Sequence, residues 1–162
     1  MSKKKKNTNK GIIISIGCVA ILIAGIFIAR AIKGGESVST GDLIIPKSEI
    51  TENVKFYPYN ADGTKLEVLA VKASDGSIRT AFNTCQVCNG SPRAYFKQQA
   101  DLLVCQNCGN SFRMDMVEQE RGGCNPVPIT KEEKTDDGSN IIISRDFILQ
   151  NKELFPSNWK TR

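Results

Sequence analysis

The chain has 162 residues, 24 % of them charged, a formal net charge of +5 and no histidine. That length holds one domain and little more, and the missing imidazole excludes His-ligated haem, Rieske-type clusters, Cys₂His₂ zinc and Ser-His-Asp catalysis. The charge is unevenly placed. Of the 22 basic side chains, seven (Lys3, Lys4, Lys5, Lys6, Lys10, Arg30 and Lys33) fall within residues 1–33, which contain no acid. The remaining 15 face 17 acidic ones, a net of −2 that makes a nucleic-acid partner unexpected.

Residues 1–10 read as a basic leader. From Gly11 to Ala29 no charged residue occurs, and Ile12, Ile13, Ile14, Ile16, Val19, Ile21, Leu22, Ile23, Ile26, Phe27 and Ile28 dominate. About 20 apolar residues in a helix span roughly 30 Å, the hydrocarbon thickness of a bilayer. A transmembrane anchor is therefore expected over 11–32, with lysines on its cytoplasmic side and the rest of the chain outside the cell membrane. Ala29-Arg30-Ala31 has the form of a signal-peptidase site, but the apolar run is longer than a signal core, so an uncleaved single-pass anchor is the reading taken. Cys18 reads as a small apolar residue inside that helix.

A linker is expected over 33–43, and a folded domain over 44–162. Strands are predicted at Val54 to Tyr59, Leu66 to Lys72 and Ile78 to Phe82, separated by Asp62-Gly63 and Asp75-Gly76, the strongest short hairpin signals. A further hairpin is predicted from Ala94–Lys97 and Leu102–Val104. Pro126 and Pro128 favour extended backbone. A strand follows at Ile141 to Ile143, then a helix from Arg145 to about Leu154, capped by Ser144 and turning Phe147, Ile148 and Phe155 inward. The fold class expected is mainly β, a small α+β domain behind a membrane helix.

The chemistry lies between Cys85 and Cys124. Cys85-Gln-Val-Cys88 and Cys105-Gln-Asn-Cys108-Gly109 are two C-x-x-C pairs with sixteen residues between them. Paired knuckles of this kind, as in zinc ribbons and rubredoxin-like sites, supply four thiolates to one centre. The candidate metal ligands are Cys85, Cys88, Cys105 and Cys108. Structural zinc and redox iron both fit that spacing, and two plain disulfides fit it less well. Cys124, in Gly122-Gly123-Cys124-Asn125-Pro126, is a fifth thiol that a closed four-ligand site does not need. It reads as an exchanging ligand, a reactive thiol acidified by a neighbouring metal, or a buried small residue. A thiol–disulfide enzyme is disfavoured, because Asn89-Gly90-Ser91-Pro92 breaks the helix that should follow its first pair.

Several of these stretches together resemble the FtrD-like membrane iron–sulfur proteins of bacteria and archaea, found beside iron-uptake permeases. The resemblance is carried by Lys55-Phe56-Tyr57, by Asp75 to Cys88, by Leu103 to Gly109 and by Gly122 to Pro128. It implies that Cys85, Cys88, Cys105, Cys108 and Cys124 bind the cofactor, an iron–sulfur cluster or mononuclear iron with zinc as the alternative. It also implies a role in electron transfer or metal handling during iron acquisition, with an iron permease or another membrane redox protein as partner. Some members carry several membrane spans, whereas one is expected here. The competing reading is a binding module whose Cys₄ zinc is purely structural.

Overall fold

The structure is a computed structural model that describes residues 39–159. The basic leader, the expected membrane helix and residues 33–38 of the linker lie outside the described residues. No helix among the described residues is long and apolar enough to cross a membrane.

The fold is built outward from one central antiparallel sheet. Strands β2 (Lys55–Ala61) and β3 (Thr64–Lys72) form a hairpin in which Ala61 faces Thr64, leaving Asp62 and Gly63 as its loop. Both have positive φ, 51° and 91°, as a turn matching strand twist requires. A longer turn through Gly76 leads to β4 (Ile78–Cys85), and β8 (Pro126–Ile129) closes the order β2-β3-β4-β8. The edge strands therefore contain proline: Pro58 in β2, Pro126 and Pro128 in β8.

Leu66 to Val71 are all buried, because β3 is covered on both faces. On one side Leu66, Val68 and Ala70 pack with Phe82 and Ile129 against Ile45, Ile141 and Ile143. Those isoleucines belong to a second sheet of β1 (Leu43–Pro46), β10 (Asn140–Ile143) and β9 (Thr135–Asp136), in the order β1-β10-β9. Helix α1 (Arg145–Gln150) adds Ile148 to the same core, and the Ser144 hydroxyl accepts the Phe147 N–H at its start. The helical stretch ends sooner than expected: α1 stops at Gln150, and a separate 3-10 turn covers Lys152–Leu154. Phe155 and Trp159 meet edge to face at 5.0 Å and close this end. Each fully buried Leu, Ile, Val or Phe side chain here contributes about 1.5–3 kcal/mol.

The other face of β3 holds the second core. Leu69, Val71 and Ala81 pack with Phe96, Leu103 and Phe112 of a third antiparallel sheet. That sheet comprises β5 (Phe96–Gln99), β6 (Leu102–Cys105) and β7 (Ser111–Arg113). One polar group bridges the two sheets. Asn83 accepts the Phe96 N–H at 2.8 Å and donates to the buried Glu67 carboxylate at 2.6 Å.

Residues 39–43, the described part of the linker expected over 33–43, bond to the domain. The Ser39 N–H donates to Asn60, the Tyr59 hydroxyl to the Gly41 carbonyl, and the Arg145 N–H to the Asp42 carboxylate. Residues 39–43 are thus tied to the domain, with Leu43 already in β1. A buried ion pair, Lys134 with Glu118, sits under the turn that follows the Met114–Met116 3-10 segment. Its side chains are 6 % and 7 % exposed, and Thr80 bonds to both.

Candidate metal centre

Each C-x-x-C pair begins at the end of a strand. Cys85 is the last residue of β4 and Cys105 the last of β6. Along β4, Phe82 faces Val127 while Cys85 faces Pro126, so two extra residues bulge from the ladder just before the first cysteine. Bulges of this kind re-aim the chain at functional edges. The backbone after each first cysteine then folds back: the Cys85 N–H meets the Ala94 carbonyl, and the Cys105 N–H meets the Asn110 carbonyl. Gly109 has φ 75°, a left-handed position that suits glycine, and its N–H returns to the Cys105 carbonyl.

The result is one cluster of sulfur. The Sγ atoms of Cys85, Cys88, Cys105 and Cys108 all lie within 4.8 Å of one another. Around a single ion with metal–sulfur bonds of about 2.3 Å, tetrahedral geometry places sulfurs roughly 3.8 Å apart, so this set needs little adjustment to close on one metal. Cys85 and Cys105 are buried in the apolar core between the central and third sheets, Cys88 is half-buried and Cys108 is exposed. The chemistry of the donor set fits thiophilic metals and excludes hard, oxygen-seeking ones.

The thiols are electrostatically unequal. Burial pushes the Cys85 thiol strongly up, against the pull of the Cys88 and Val87 N–H groups on its sulfur. Cys105 is likewise raised, by burial first, with the N–H groups of Cys108 and Asn107 opposing. Cys108 is lowered to about 7, chiefly by the Asn110 N–H and then by neighbouring thiols. The repeated arrangement, with N–H groups from positions three and four of each pair aimed at the first sulfur, is what a knuckle supplies to an anionic ligand.

Cys124 stands next to the four without joining them. It is half-buried, and its thiol interacts with those of Cys108 and Cys85. The protein groups alone, hydrogen bonding with Cys108 first and then burial, raise its thiol, whereas the acidification weighed from the sequence depends on a neighbouring metal ion. Cys108 is the acidic member of that pair.

Residues that the motifs did not single out hold the three loops together. Gln86 is the main tie. Its backbone N–H donates to the Asn125 carbonyl, its side-chain amide donates to the Pro126 carbonyl at 3.1 Å, and its amide oxygen accepts the Gly122 N–H at 2.8 Å. Asn110 donates to the Cys124 carbonyl, and Ser91 donates to Asn107 at 2.7 Å, joining the two knuckles. The only sequence hint was a repeat, since both pairs read Cys-Gln-x-Cys.

Two C-x-x-C knuckles facing each other from the ends of β-strands form a cluster of four cysteines able to hold a metal ion. The family model described as membrane iron-sulfur containing protein FtrD-like matches residues 50–155, and the chain belongs to that family. No curated protein and no solved structure matches the chain.

Proposed function

We propose that this protein is a membrane-anchored carrier of a single thiolate-bound iron, passing electrons or metal in iron acquisition. The observation that carries this reading is the four-sulfur set within 4.8 Å, with a fifth thiol at its exposed edge. In a multi-iron cluster the cysteines bind different irons, which spreads their sulfurs by the iron–iron separation as well. The compact set favours one ion, and iron held this way supplies one-electron exchange. Cys85, Cys88, Cys105 and Cys108 would hold the metal, and the knuckle N–H groups would stabilise the thiolate charge. The apolar core around Cys85 and Cys105 keeps water from the inner side of the site. The expected span over 11–32 would keep the site near a membrane partner such as an iron permease.

A structural Cys₄ zinc is the second reading, favoured by the burial of Cys85 and Cys105 in the core that joins two sheets. A thiol–disulfide enzyme gains no support, because no helix among the described residues begins at either cysteine pair. Full-length protein purified without oxygen decides among these. The expected result is visible absorption, about one iron per chain and no acid-labile sulfide. Stoichiometric sulfide would replace the single ion with a cluster, and a colourless zinc protein would overturn the redox role.

Metal affinity should depend steeply on pH. Thiolates bind metal, so each ligand protonated in the free protein must lose its proton on binding. Burial keeps Cys85 and Cys105 protonated between pH 7 and 8, whereas Cys108 is half ionised near 7. At least two protons are therefore released, and affinity should fall about a hundredfold or more per pH unit on acidification. Competition with a chelator at several pH values measures the slope, and a slope below one would contradict this ligand set.

A further inference from the structure

Cys124 has no place in a closed four-thiolate site, yet the fold fixes it beside one. Its loop is held from both knuckles. Gln86, inside the first pair, accepts the Gly122 N–H through its amide oxygen and donates its own backbone N–H to the Asn125 carbonyl. Asn110, just past the second pair, donates to the Cys124 carbonyl at 3.3 Å. The Cys124 side chain is half-buried at the rim of the core that holds Cys85 and Cys105. Its sulfur stands outside the group whose members all lie within 4.8 Å of one another. It nonetheless hydrogen-bonds with the thiols of Cys108 and Cys85 and feels the charge of Cys88. Cys124 thus meets three of the four ligand sulfurs, among them Cys108, the exposed one. A small residue that merely filled space would pack against carbon instead.

Resting on the metal-passing arm of the function proposed above, in which iron is cargo, we propose that Cys124 is an exchange thiol that trades places with Cys108 on the bound ion. A closed set of four thiolates releases its metal slowly, because one bond must break before another forms. A fifth sulfur already held at the site lets the two events coincide, with the advantage that fixed proximity gives any reacting group. The swap balances. The Cys124 Sγ–metal bond forms, the Cys108 Sγ–metal bond breaks, and the Cys124 proton crosses the hydrogen bond between the two sulfurs to Cys108. No electron moves, the number of thiolates on the ion is unchanged, and no further reactant is needed. Moving the proton as the sulfurs trade places also avoids setting a fifth thiolate against the excess negative charge of the other four. Cys108 is the ligand that leaves, since Cys85 and Cys105 are buried and Cys88 is half-buried. The swap therefore loosens the corner of the site that an acceptor's ligand reaches from solvent.

Full-length protein in detergent is loaded with iron(II) without oxygen and mixed with an excess of a coloured iron(II) chelator, and release is followed by absorbance. Cys124→Ser is expected to release iron at least about tenfold more slowly than the original protein, because a hydroxyl is a poor substitute for sulfur in a thiophilic site. Its equilibrium affinity, from competition at low chelator concentration, should stay within about threefold, since the four resident ligands are intact. Cys124→Ala should match Cys124→Ser in both respects. A structural role alone would move rate and affinity together, or neither. An iron-loaded Cys124→Ser protein that releases at the original rate overturns the exchange. So does a loss of affinity of about tenfold or more, which would make Cys124 a resident ligand. A colourless zinc protein removes the iron reading alone. The same comparison with a zinc chelator then tests the exchange by itself, which tells the two failures apart.

Discussion

Cys85→Ser and Cys108→Ser are each expected to lose the metal and to leave the domain largely unfolded at 37 °C. A Cys-ligated metal contributes on the order of 10–16 kcal/mol to folding in small metal-binding domains. The whole stability of a domain this size is about 5–15 kcal/mol. The two cores also differ in how they stand alone. The one against β1, β10 and α1 is built from large aliphatic and aromatic side chains, whereas the one against β5 and β6 includes Cys85 and Cys105 themselves. Losing the metal therefore removes part of a core. Cys124→Ser should behave differently, keeping its metal and melting within about 2 °C of the original, a shift below 1 kcal/mol. Metal analysis and thermal melting followed by circular dichroism check all three variants. Metal lost from Cys124→Ser would make that thiol a ligand and displace one of the knuckle cysteines.

Lys134→Met is expected to cost about 3–5 kcal/mol, because it leaves the Glu118 carboxylate buried without its counter-charge. Glu118 has few alternatives: it sits at φ 68°, 7 % exposed, and accepts the Thr80 N–H at 3.0 Å. Glu118→Leu should be similarly harmful, since it strands the ammonium of Lys134. The double variant should recover most of the loss, because two apolar side chains of similar volume replace two desolvated charges. Melting temperatures of the three variants test this, with falls of at least about 10 °C for the singles. A single variant within about 1 °C of the original would mean that the pair is solvated and contributes little.

The sequence made the hairpins and the knuckles legible for a physical reason. Asp62-Gly63 and Gly109 occupy backbone conformations that few residues tolerate, and paired cysteines at this spacing have few other uses. The capping serine at 144 was legible in the same way. The layering was not. β7 and β9 have three and two residues, too short to show a period, and they exist because a neighbouring strand offers hydrogen bonds. The continuous burial of Leu66 to Val71 depends on a third sheet whose position is a long-range fact. Within the site, Gln86 and Asn110 escaped notice because an amide side chain that ties loops looks like any solvated one. The lowering of Cys108 by the Asn110 N–H follows from where one backbone group points, and no residue pattern encodes that.

The prolines at the two edges of the central sheet bear on how the protein lives among copies of itself. A sheet with open edges is vulnerable wherever copies meet, because unpaired N–H and C=O groups can recruit a strand from the next molecule. Pro58 on one edge, and Pro126 with Pro128 on the other, each remove a donor from such a pairing. Strand-to-strand aggregation is thereby obstructed on both sides of the sheet.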